Sequence, residues 1–134
     1  MAAACEAAGR LAFPFMVTAR TENLIRGHND LDDTIARLQA YERAGADVLY
    51  APGLRNADEI RMVCAAVAKP VNVLARPNLS VGEIAEAGAR RISVGGSLNW
   101  VAVNALVSSA EAIRDRGDFS SLDVSLDLRA WLSP

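Results

Sequence analysis

The chemistry-bearing residues concentrate where apolar runs give way to loops. Arg20, Glu22 and Asn23 follow the apolar stretch Phe13–Ala19, Arg76 follows Pro70–Ala75, and Gly95-Gly96 follows Arg91–Val94. A guanidinium at the end of a strand can hold a carboxylate through two hydrogen bonds. The same arginine can equally be paired with Glu22 or another loop acid. Glu22 can orient Arg20 or a metal-bound water, or be a solvated loop acid, and Asn23 is open in the same way. Arg76 suits an anion. Gly95-Gly96 suits either a phosphate-holding loop or a close helix–strand turn. His28 is the single histidine and falls in a polar loop, so solvent exposure is expected of it. Cys5 and Cys64 lack metal-ligand spacing and have no visible activating base. The acidic run Asp30–Asp33 is explained by helix capping.

These residues must be positioned by regular elements, and the periodicities supply them. Phe13–Ala19 reads as a near-continuous buried strand. Asp30 caps a helix carried by Leu31, Ile35 and Leu38 and ended by Gly45. Asp47–Ala51 is a second strand, broken by Pro52-Gly53. Asn56 caps a helix with Ile60, Val63, Cys64 and Val67 on its apolar face. Pro70–Ala75 is a third strand, and Ser80-Val81-Gly82-Glu83 is a capping box for a short helix ending at Gly88. Arg91–Val94 is a fourth strand, followed by a long helix from about Asn99 to Arg114. Ala2–Ala8 reads as the end of a helix stopped by Gly9, so 1–9 is expected to be the remnant of a preceding helix. The tail, 120–134, is expected to hold an amphipathic turn or two around Leu122, Leu126, Leu128 and Trp131. Ala44-Gly45-Ala46-Asp47 and Ala87-Gly88-Ala89-Arg90 echo each other 43 positions apart, which is two βα units.

Regular βα alternation means an α/β fold with parallel strands and right-handed crossovers. The glycine fingerprint of a dinucleotide-binding sheet is missing, since the first strand leads into Arg20-Thr21-Glu22-Asn23. A (β/α)8 barrel takes about 250 residues. The 134 residues here and their four βα units predict half of such a TIM-type barrel, as a single domain over 1–134. Arg20, Arg76 and Gly95-Gly96 then fall on the strand-end face where barrel enzymes keep their chemistry. Asn72, Leu74 and Arg76 share one face of the third strand, where Asn72 requires a hydrogen-bond partner.

Composition narrows the functional classes. Fourteen basic and 16 acidic residues, a net charge of −2, give no pull toward nucleic acid or an anionic membrane. No apolar run reaches a membrane span, and two cysteines suit a reducing, cytoplasmic setting. Alanine, at 25 residues, predicts a core of small side chains.

Several ordered blocks resemble the isocitrate lyase/phosphoenolpyruvate mutase superfamily. They are Thr18-Ala19-Arg20-Thr21-Glu22-Asn23, Asp30–Ile35, Ala44–Leu54, Lys69–Ala75 and Arg90–Gly96. The resemblance covers nearly the whole chain, from Ala2 to Arg116, and aligns it with strands five to eight, the C-terminal half of the barrel. It implies formation or cleavage of a C–C or P–C bond next to a 2-oxo acid, with magnesium stabilising the enolate. It gives Arg20 and Glu22 catalytic roles, with Arg20, Asn23, Arg76, Gly95 and Gly96 binding a small carboxylate substrate. The family's metal-anchoring acids and its Lys-Cys-Gly-His segment belong to strands two to four. Nothing here matches them, so no metal ligands are expected in this chain, and alone it is expected to be inactive. Pro52 stands where the lyases carry glutamate and Leu74 where they carry asparagine, which points to the mutase-like branch. A half-barrel has two open edges, so a homo-oligomer or an N-terminal half-barrel partner is expected. The resemblance also implies that the tail, 120–134, is an interface or swapped segment. The alternative is a non-catalytic, self-associating or anion-binding half-barrel.

Overall fold

A computed structural model describes residues 1–123. Its contacts group Met1–Gly95 into one compact unit, and a second begins at Gly96. The first unit carries α1 (Ala2–Gly9), β1 (Thr18–Arg20), a 3-10 turn (Leu24–Arg26), α2 (Leu31–Arg43), β2 (Val48–Tyr50), α3 (Ala57–Ala66), β3 (Val71–Leu74), α4 (Val81–Glu86) and β4 (Arg91–Ser93). The second carries α5 (Ser97–Arg116) and a 3-10 turn at Ser120–Leu122. Leu126, Leu128 and Trp131, and most of the tail expected at 120–134, lie outside the described residues.

The helices start where local chemistry sets them. Asp30, Asn56 and Ser80 each accept a hydrogen bond from the backbone N–H three residues on, at Asp33, Glu59 and Glu83. Ser80 and Glu83 complete a reciprocal capping box. At the other end of α1, Gly9 is the last helical residue and Arg10 the C-cap, so the glycine is not the stop that its type suggests.

The four strands lie side by side in chain order, β1-β2-β3-β4, all parallel. This is an α/β array of four βα units, half the count of a (β/α)8 barrel. The register aligns Ala19, Leu49 and Val71 on one face and Arg20, Tyr50, Asn72 and Arg91 on the other. The first set, with Val73, packs with Leu38 of α2, Ile60 and Val63 of α3 and Ile84 of α4 to make the core. Polar groups therefore share the opposite sheet face.

One strand is shorter than its apolar sequence predicts. Of the run Phe13–Ala19, only Thr18 and Ala19 enter β1, while Phe13, Phe15 and Met16 are exposed. Among the described residues β1 has a neighbour on one side only, and its pairing starts where β2 starts, at Thr18 opposite Val48. Val17 is held instead by Asp47. Its N–H donates to Asp47 Oδ2 at 2.8 Å, and its carbonyl accepts from Asp47 N at 3.0 Å.

The echoed turns are built alike. Gly45 and Gly88 both adopt left-handed φ, +96° and +104°. A Cβ at Gly45 would lie 3.4 Å from Cys5 Cβ, and one at Gly88 3.0 Å from Cys64 Cβ. The two cysteines thus serve close packing of a helix on a turn. Burial pushes the Cys64 thiol above its ordinary pKa, with Arg90 opposing the shift.

Candidate active site

β1 ends at Arg20, and the next residue continues the ladder, with Thr21 N–H donating to Tyr50 O at 3.0 Å. The loop beyond is pinned by a buried network. Thr21 Oγ1 donates to Asn23 Oδ1 at 2.6 Å, and Asn23 Nδ2 donates to Thr34 Oγ1 at 2.5 Å. Longer contacts of 3.3 Å run from Asn23 Nδ2 to Asp30 O and Asp33 Oδ2. Thr34 Oγ1 in turn donates to Asp30 O at 2.7 Å. Thr21, Asn23 and Thr34 are all buried, so this network ties the strand end to the first turn of α2. Asn23 spends its amide on this tie.

Thr21 and Asn23 point inward, while Arg20 and Glu22 between and beside them stay part-exposed. The Arg20 guanidinium lies 5.3 Å from the centroid of the Tyr50 ring, its neighbour across the β1–β2 pair, which is cation–π range. Arg20 Nε also pairs with Glu22 Oε1, and Glu22 Oε2 lies 3.6 Å from Arg26 Nε. Glu22 thus bridges two guanidiniums. Exposed ion pairs of this kind contribute only about 0.2–1 kcal/mol each.

These groups open onto a cleft of about 520 Å³. Besides Arg20, Glu22 and Asn23, its lining includes Arg26, His28, Asp33 and Arg37. Arg37 Nε donates to Asp33 Oδ2 at 2.7 Å, and that partner holds the guanidinium above its ordinary pKa. His28 is exposed, as its loop predicts, yet it lies on the cleft wall.

The sequence-predicted site is therefore gathered only in part. Arg20, Glu22 and Asn23 meet in one cleft. Arg76 is exposed beyond β3 and is not among the lining residues. Gly95 has left-handed φ of +55°, with Leu74 Cδ1 3.4 Å from its Cβ position, and Gly96 is the N-cap of α5. Arg26, Arg37 and Tyr41 line the cleft without any signal in the sequence having singled them out. Their placement depends on how α2 and the 3-10 turn pack, which spacing does not reveal.

Among the described residues, no group of three or more His, Cys, Asp or Glu is arranged to hold a metal ion. In the cleft, Asp30 caps α2, Asp33 holds Arg37, and Glu22 spans two arginines. These carboxylates do not fit a magnesium cradle.

A family model described as phosphoenolpyruvate phosphomutase matches residues 1–114. The chain belongs to the phosphoenolpyruvate phosphomutase family. A crystal structure from Burkholderia cenocepacia J2315, provisionally named a lyase/mutase, is similar at 47% identity and a TM-score of 0.92, over 99% of this chain and 50% of that one. Oxaloacetate decarboxylase 2 of Pseudomonas fluorescens (strain Pf0-1) is 31% identical over 98 residues, 72% of this chain and 33% of its own length. The structure of an oxaloacetate acetylhydrolase in complex with the product oxalate matches at 26% identity and a TM-score of 0.79, over 97% of this chain and 46% of that one. This phosphomutase-family chain thus spans about half the length of the solved structures it matches, and a third of the decarboxylase.

Proposed function

We propose that this chain carries the carboxylate-binding part of a lyase/mutase site that makes or breaks a C–C or P–C bond beside a 2-oxo acid. The observation that carries the reading is the placement of Arg20. Its guanidinium sits at a strand end and opens onto the cleft, on a loop locked from beneath by Thr21, Asn23 and Thr34. A pre-positioned guanidinium neutralises and orients a carboxylate without having to be ordered first. Family membership and the oxalate-bound relative support a small 2-oxo acid or dicarboxylate as the ligand class. Asn23 then acts by positioning the loop, and Glu22 is the acid paired with Arg20 in the unliganded chain. Arg76 and Gly95-Gly96 remain candidates for a second anion contact. In the superfamily pattern magnesium stabilises the enolate, but the carboxylates of the cleft, each engaged by a backbone amide or a guanidinium, offer it no cradle. The metal-binding part of the site is read as coming from outside the described residues, and the chain by itself as inactive. Two free cysteines suit a cytoplasmic protein.

Calorimetric titration of the chain with oxalate and with pyruvate, with and without magnesium, tests this reading. Weak binding that is indifferent to magnesium and lost in Arg20→Gln is expected. Absence of binding in every condition overturns it, and binding that requires magnesium overturns the statement about the metal.

A second reading, a non-catalytic half-barrel that self-associates or pairs with a complementary half, is favoured by one observation. Among the described residues the edge strands β1 and β4 are each paired on one side only, and Phe13, Phe15 and Met16 are exposed near β1 in the sequence. Sedimentation of the purified chain tests it, a concentration-independent monomer being the contrary result.

A further inference from the structure

Three acids line the cleft, and they are not equivalent. Asp30 Oδ1 accepts from Asp33 N at 2.9 Å, and Asp33 Oδ2 accepts from Arg37 Nε at 2.7 Å. Both are therefore committed to the first turns of α2. Glu22 is different: one carboxylate oxygen lies on Arg20 and the other near Arg26, with its side chain part-exposed. The two guanidiniums it bridges are themselves rooted in hydrogen-bonded backbone. Arg20 pairs with Tyr50 across β1–β2 and lies over its ring. Arg26 N–H donates to Glu22 O and Asn23 O, both at 3.1 Å, and the 3-10 turn is closed by Gly27 at φ +85°.

We propose that Arg20 and Arg26 form a two-guanidinium clamp for a ligand carboxylate, in which Glu22 is the resident stand-in that a ligand displaces. The clamp rests on the reading of Arg20 as the carboxylate receptor and adds Arg26 and an internal competitor to it. Exchange replaces one carboxylate by another between the same two cations. No buried charge is uncovered, because all three side chains already meet solvent. The ligand class is a compact carboxylic acid, such as a dicarboxylate whose second charge reaches the remaining cleft wall.

Oxalate titrations of the wild-type chain and of Glu22→Gln, Arg26→Gln and Arg20→Gln, each checked for folding by circular dichroism, test the clamp. Losing a competitor bound by exposed pairs makes Glu22→Gln bind about two- to five-fold tighter, and losing one arm makes Arg26→Gln weaker by a similar factor. Unchanged or weaker binding by Glu22→Gln, with wild-type binding intact, overturns the clamp and leaves Arg20 as receptor. Failure of both wild-type and Glu22→Gln to bind overturns the receptor reading, and the clamp with it. The Glu22 carboxyl carbon resonance in the wild-type chain gives an answer independent of any variant. It moves on oxalate addition if Glu22 is displaced, and a fixed resonance in the presence of bound oxalate refutes displacement.

Discussion

Asn72 Nδ2 donates to Ser93 Oγ at 3.2 Å across the β3–β4 pair, while Asn72 Oδ1, also buried, meets no donor among the described residues. The residue is 1% exposed, so the orphaned acceptor bears its desolvation without compensation. Asn72→Leu, close in shape and apolar, is expected to raise stability by about 1 kcal/mol in urea unfolding. Asn72→Asp places a charge in the same spot and is expected to lower it. A loss of stability in the leucine variant would show that the Ser93 bond outweighs the orphan.

Asn23 gives the opposite expectation, because both ends of its amide are used. Asn23→Leu strands the Thr21 hydroxyl and frees the β1 end from α2, at a cost of about 2 kcal/mol. Oxalate affinity should fall along with it, since the Arg20 loop loses its anchor. A variant as stable as the wild type would assign the tie to backbone contacts alone.

Two left-handed glycines separate backbone strain from crowding. Gly27 has φ +85° with nothing within 4 Å of a Cβ, whereas Gly53 has φ +107° with Leu24 Cβ at 2.8 Å. Gly27→Ala is expected to cost about 1 kcal/mol from the left-handed conformation alone. Gly53→Ala carries that cost plus a clash with the 3-10 turn, and should unfold at clearly lower denaturant. Equal midpoints for the two variants would contradict the close contact.

The capping box predicts an acid-sensitive term. Glu83 is held below the usual carboxylate pKa by the Ser80 backbone N–H and then by the Ser80 hydroxyl. A depressed folded-state pKa stabilises above the unfolded value and is lost as pH falls through the folded one. The stability difference between wild type and Glu83→Gln should therefore be full at neutral pH and shrink on acidification below about pH 4. A difference that stays constant from pH 7 to pH 3 refutes this coupling.

What could be read from the sequence was what depends on near neighbours. Asp30, Asn56 and Ser80 were legible as caps because each bonds an amide three residues away. The four strands and their parallel order followed from βα alternation. Arg20 and Glu22 were legible as a strand-end pair, and in the structure Arg20 is paired with Glu22 and faces the cleft. Phe13–Met16 misled because an apolar run does not announce whether it has a partner. Arg26, Arg37 and Tyr41 were hidden for a related reason: only the seating of α2 and the 3-10 turn brings them to Arg20.

The glycine turns that receive Cys5 and Cys64 work as size gauges. With cysteine Cβ atoms 3.4 and 3.0 Å from where a side chain would begin at Gly45 and Gly88, each turn admits no side chain of its own without moving the helix seated on it. Even a single methyl at Gly45 or Gly88 would act as a wedge, prising the helix off the turn that leads into the next strand.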